Sequence, residues 1–129
     1  MSLHFNPKEG LIIVPARLFG PEGDIIAQLA LDTGATGTLI NWDIAMIIGY
    51  DPAIAQERVQ ITTGSGVEFA PRIEISKIEA LGRMRRNFAL ICHTLPPSAN
   101  VDGLLGLDFL QEAILNINMI CGVLEMNWK

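Results

Sequence analysis

Residues 29 to 40, Leu-Ala-Leu-Asp-Thr-Gly-Ala-Thr-Gly-Thr-Leu-Ile, carry an apolar run to a single acid, pass through small residues and return to apolar ones. A carboxylate set at the mouth of a buried strand can exchange a proton with a water or a bound group, which is general acid–base chemistry. The same residues also make a turn, because Asp and Thr bond nearby amides and Gly accepts positive φ. Taken alone, the motif leaves both readings open. Other chemistries lack their residues. Cys92 and Cys121 are too few and too far apart to define a disulfide framework or a metal site, and Cys92 sits in an apolar stretch as a small buried hydrophobe. His4 and His93 have no ligating neighbours at suitable spacing. Asp108 and Glu112 stand four apart and read as a solvated helix face. No metal and no cofactor are expected.

The whole chain bounds what this acid could serve. At 129 residues it has the length of one domain, residues 1–129, with one real core. Half the residues are apolar and 18% are charged, far from a disordered composition. The net charge of -5 speaks against a nucleic-acid surface, which needs clustered Lys and Arg. The one basic cluster, Arg83, Arg85 and Arg86, follows Gly82 and reads as a solvated turn. No apolar run reaches the roughly 18 to 20 residues of a membrane span, and MSLHFNPKEG lacks the parts of a signal peptide. A cytoplasmic location is expected. Met1-Ser2-Leu3 reads as a cloning remnant, and the chain as an excerpt of something longer stays open.

The elements that must position the acid are mostly strands. Residues 10 to 19 form a β-branched run in which Pro15 implies an edge. Pro21 to Asp24 is a turn, and residues 25 to 31 return as the second arm of a hairpin. Thr38-Leu39-Ile40 is a short strand. Asn41 or Asp43 caps a short helix through Ile48 that Gly49 stops. Residues 57–63 and 67–75 flank Gly64-Ser65-Gly66, giving a hairpin over 58–70 with its tip at those residues. Two more arms, 78–81 and 86–91, flank Gly82; the spacing of Leu107, Leu110 and Ile114 predicts a second helix; and strands 115–120 and 123–128 close the chain. Many short strands, one or two short helices and no fixed repeat indicate an all-β fold, a small closed barrel.

Two segments now belong together. LALDTGATGTLI resembles the active-site segment of retropepsin-like aspartic peptidases, and VDGLLGLDFL resembles that family's second signature, two aliphatics before a helix-opening glycine. ITTGSGVEF lies where the family places its flap. The resemblance runs in order from about residue 10 to 128 and implies an acid-protease barrel. It implies Asp32 as the catalytic acid, with Thr33, Gly34 and Ala35 supporting the loop. Thr33 would bond across to a partner loop, and Leu104-Leu105-Gly106 would run behind, its glycine allowing tight packing. Thr63, Gly64, Ser65 and Gly66 would form the flap tip over the substrate. Viral members often follow the Ala with acidic residues and place an Arg after the second glycine; Thr36 and Leu107-Asp108 stand there in this chain, as in cellular relatives.

Such a peptidase needs two Asp-Thr-Gly loops, and this chain has one. Asp102-Gly103 is the nearest imitation, and the family places that segment behind the loop. The resemblance therefore implies a homodimer hydrolysing a peptide or protein substrate, with neither nucleic acid nor membrane as partner. Two other readings stand beside it: a non-catalytic module of the same fold used for dimerisation or peptide binding, and a ligand-binding barrel in which Asp32 only shapes a turn.

Overall fold

The computed structural model describes all 129 residues. Strands β2 (Ile13–Gly20) and β3 (Gly23–Leu31) form the first hairpin, paired from Gly20↔Gly23 back to Ile13↔Ala30 around Pro21-Glu22. After a loop come β4 (Leu39–Ile40) and helix α1 (Trp42–Ile47). Asn41 occupies the N-cap position, but its Oδ1 accepts from Leu95 N instead of capping the helix. Gly49, at φ +103°, ends the helix as its residue type implies.

The hairpin expected over 58–70 is present. It is built from β5 (Glu57–Thr63) and the outer half of β6 (Gly66–Ala80), paired from Glu57↔Arg72 to Thr63↔Gly66. Strand β6 continues inward, pairs with β7 (Arg83–Cys92), and also pairs with β2 through Ala16↔Ala80 to Phe19↔Lys77. Adding β8 (Gly103–Leu105) gives the order β2-β3-β8-β4-β7-β6, and the return of β6 to β2 closes a six-stranded barrel. Pro15 falls just before the β2–β6 ladder begins, where its missing N–H costs no bond.

One irregularity lets β6 serve both halves. The β6–β7 ladder skips Ser76 and Asn87, and Asn87 lies at φ +50°. Ile75 and Ile78 are three residues apart yet both fully buried. One residue is unpaired on each strand, so the register is unchanged across the kink while the inward face switches. Ser76 is held there: its hydroxyl donates to Phe19 O at 2.9 Å, and its N–H donates to Tyr50 Oη at 2.9 Å.

A second sheet packs on the barrel in the order β1 (Ser2–His4), β10 (Val123–Trp128), β9 (Ala113–Asn118). The extreme N-terminus, read from sequence as an appendage, is thus a paired strand. Leu124 and Met126 reach the common core, and Phe109 stacks edge-on between Phe88 and Trp128 with centroids 5.9 and 5.8 Å away. No helix is long and apolar enough to cross a membrane.

The second helix is a correction. Residues 107–112 form successive tight turns, Leu110 N–H to Leu107 O and Ala113 N–H to Leu110 O, and Glu112 lies at φ +69°. Arg85 diverts the acceptors that a helix would use: its guanidinium donates twice to Phe109 O and once to Gln111 O. This also revises the basic cluster. Partial burial, then Arg83 beside it, hold the Arg85 pKa below its ordinary value, partly offset by Glu112 and Asp108. Arg83 itself pairs with Glu112 at 2.9 Å.

The cysteines separate cleanly. Cys92 is fully buried, and burial pushes its thiol up to about 12, whereas Cys121 is exposed in the β9–β10 turn. An aromatic disulfide reagent at neutral pH should therefore titrate one thiol in the native protein and two after denaturation.

Candidate active site

The loop from Asp32 to Gly37 joins β3 to β4, and its position follows from the strands on either side. Strand β8 lies between them, parallel to β3 and antiparallel to β4. The β3–β8 ladder reaches one residue past β3, since Asp32 N–H donates to Leu105 O at 3.0 Å. Asp32 is thus anchored through its backbone while its side chain is free to face outward. Gly34 N–H donates to Asp32 Oδ1 at 2.9 Å, and Ala35 N–H donates to Asp32 O at 3.2 Å. A Cβ on Gly34 would stand 3.2 Å from that carboxylate oxygen, tighter than ordinary contact. Thr33 is exposed beside the acid, its hydroxyl making no hydrogen bond within the chain.

Behind the loop, the close crossing expected of Gly106 is present. A Cβ there would lie 2.7 Å from Gly37 O and 2.8 Å from Ala35 O. Leu107 N–H donates to Ala35 O at 2.8 Å, locking the segments together.

Sequence reasoning missed the group that fixes this crossing. Thr38 is fully buried; its hydroxyl donates to Asp108 Oδ1 at 2.7 Å and accepts from Gly106 N–H at 3.1 Å, while its own N–H donates to Asp108 Oδ2 at 3.1 Å. Phe109 N–H also donates to Asp108 Oδ1, at 2.8 Å. Asp108 is therefore no solvated helix residue but the acceptor that ties β4 to the turn after β8. The signal was a threonine between glycine and two aliphatics, where a hydroxyl must find a partner. Thr38→Val should lower unfolding free energy by about 1–3 kcal/mol, because Gly106 N–H and the Asp108 carboxylate both lose a partner. Thr38→Ser should restore most of it, as urea unfolding would read.

Asp32 opens onto a cleft of about 710 Å³. Leu39, Ile91 and Leu104 line its floor, and Val59 and Ile61 from the β5–β6 hairpin line its wall. The cleft runs into a second cavity of about 490 Å³ under the hairpin tip, where Thr63, Gly64 and Ser65 face Thr94, Leu95 and Pro96. At the tip, Thr63 Oγ1 accepts from Ser65 N–H and donates to Gly66 O, both at 3.3 Å, and Gly66 adopts φ +121°. Asp102 lies elsewhere, accepting from Gln28 N–H at 2.8 Å on the far side of β8. Asp108 borders the cleft, but both its oxygens are occupied. One chain thus offers one available carboxylate beside an apolar trough.

A family model described as "gag-polyprotein putative aspartyl protease" matches residues 23–112, which hold the loop, the hairpin and the crossing behind them. No curated protein matches the sequence. Among solved structures, the chain is similar to a retropepsin-like aspartic protease from Rickettsia conorii. The TM-score is 0.75 at 19% identity, over 99% of this chain and 89% of that one. At that identity the likeness is one of fold, and it confirms the closed barrel read from the strand pattern. With the family model spanning well over half its length, the chain belongs to the retropepsin-like aspartyl protease family.

Proposed function

We propose that the protein is an aspartic endopeptidase that works as a homodimer. The observation that carries this reading is the single carboxylate of Asp32, braced through its backbone and through Gly34 N–H, at the edge of a cleft with an apolar floor that the β5–β6 hairpin walls. In the two-fold dimer, Asp32 and its symmetry mate share the work. One carboxylate takes a proton from the attacking water while the other, protonated, polarises the scissile carbonyl. An isologous interface supplies the second loop with no second gene or domain. Thr33, exposed and unbonded within the chain, is the natural group to bond across that axis, and Gly34 and Ala35 complete the loop. The Thr63–Gly66 tip acts as the flap, offering backbone groups to an extended substrate strand.

The test pairs assembly with activity. Sedimentation across a concentration series should show a monomer–dimer equilibrium, and cleavage of a random peptide pool should rise with the dimer fraction. A statine-type transition-state mimic should inhibit it. Monomer at every concentration with no cleavage would instead favour a non-catalytic module of the same fold.

A further inference from the structure

We infer that the cleft selects substrates carrying an acidic side chain at a fixed distance from the scissile bond, on either side of it as the two-fold axis relates the two Arg72 residues, and that Arg72 is the residue that reads it. The inference rests on the peptidase reading above and concerns the same cleft. Register places Arg72 where a substrate side chain would meet it. Leu104 pairs with Leu39, Leu39 with Ile91, Ile91 with Arg72 and Arg72 with Glu57. Directly paired residues share a sheet face, so these five form one row across four strand boundaries. The row begins apolar beside the Asp32 loop and turns charged at the root of the hairpin.

Charge makes that end distinctive. Asp32, Asp108 and Arg72 are the only charged residues lining the 710 Å³ cleft, so Arg72 is its one cation. The Asp108 oxygens are bound by Thr38 and Phe109 N–H. Asp32 disfavours an anion at the reacting end, leaving the Arg72 end as the place a substrate carboxylate can sit. Arg72 Nη1 donates to Glu57 Oε1 at 3.0 Å, with the side chains 43% and 62% exposed. An exposed pair of this kind contributes little and yields readily. The guanidinium fork also has further donors free for a second carboxylate. Glu57 thus orients Arg72 without neutralising its use.

The experiment sequences cleavage products of a diverse peptide pool for wild type, Arg72→Gln and Arg72→Glu. In wild type, Asp and Glu should be enriched at one position and its two-fold counterpart across the scissile bond, with kcat/KM about five- to ten-fold above the Ala counterpart. Arg72→Gln should level the two, and Arg72→Glu should turn the preference toward Lys and Arg. In parallel, non-hydrolysable peptides with an acidic or neutral residue at each flanking position are titrated against Asp32→Asn protein with Arg72 intact or changed to Gln. Cleavage without acidic enrichment, or enrichment that survives Arg72→Gln, overturns the inference and leaves the peptidase reading standing. Absence of all cleavage overturns the peptidase reading, and the binding titration then decides the inference: equal affinity for acidic and neutral peptides sinks it.

Discussion

Asp32→Asn should abolish peptide hydrolysis while leaving the barrel and its assembly in place. The substitution is nearly isosteric. The amide oxygen can still accept from Gly34 N–H, and the backbone bonds to Leu105 and Ala35 do not depend on the side chain. What Asn cannot do is take a proton from water and return it. In the proposed homodimer, one change in the gene removes both members of the symmetric pair, so no wild-type carboxylate would remain. General acid–base catalysis alone contributes about 10²–10⁴-fold. The bell-shaped pH–rate profile expected of a pair sharing one proton should vanish with the activity. Thermal unfolding and sedimentation should stay at wild-type values. Wild-type turnover in Asp32→Asn would refute the assignment outright.

Gly106→Ala should be strongly damaging, and the damage should be to folding. The added methyl meets two backbone carbonyl oxygens, Gly37 O and Ala35 O, at 2.7 and 2.8 Å. A flexible side chain could swing aside, but these atoms cannot. They belong to the loop that carries Asp32, and Ala35 O is held by Leu107 N–H. Overpacking usually costs about 1–3 kcal/mol, and here both neighbours are backbone, so the loss should be about 3 kcal/mol or more. Against a typical total of about 5–15 kcal/mol, that leaves a weakly folded chain with a displaced Asp32 loop. Gly10→Ala is the matched comparison, because nothing lies within 4 Å of its added carbon. Its unfolding midpoint should be indistinguishable from wild type in the same urea titration.

The strands were legible because their signals are local. Alternation and β-branching marked β2, β3 and the hairpin arms, and Gly64-Ser65-Gly66 marked a tip that the structure places there. The Asp32 loop was legible as a motif of small residues beside one acid, and Gly106 as the glycine behind it. What stayed hidden was long-range. Nothing near residue 108 announces that its carboxylate is claimed by Thr38, seventy residues away. Leu107, Leu110 and Ile114 have helical spacing, yet Arg85 of another strand takes the carbonyls and the segment becomes turns. Arg72 has no local signal, and only register sets it in line with Ile91, Leu39 and Leu104. Local rules name the elements, and side chains from distant strands decide how their ends are tied.

Strand β6 gives the hairpin an unusual mounting. It is no loop hung between barrel strands but the continuation of a barrel stave, braced by β2 as far as Lys77 and by β7 as far out as Arg72, and paired with β5 alone beyond it. Mechanically this is a cantilever. The free arm from Arg72 to Gly66 spans six residue steps, about 20 Å at the rise of an extended strand, and is clamped where the β6–β7 ladder ends, at Arg72↔Ile91. A clamped beam deflects most at its free end, so in the proposed peptidase the tip is the part that would lift for a peptide while Arg72 and the floor beneath it stay put. Lengthening or shortening the turn at Gly64-Ser65 would then retune reach and stiffness without disturbing a single barrel ladder, leaving evolution a way to change how the enclosure opens independently of what lies at its base.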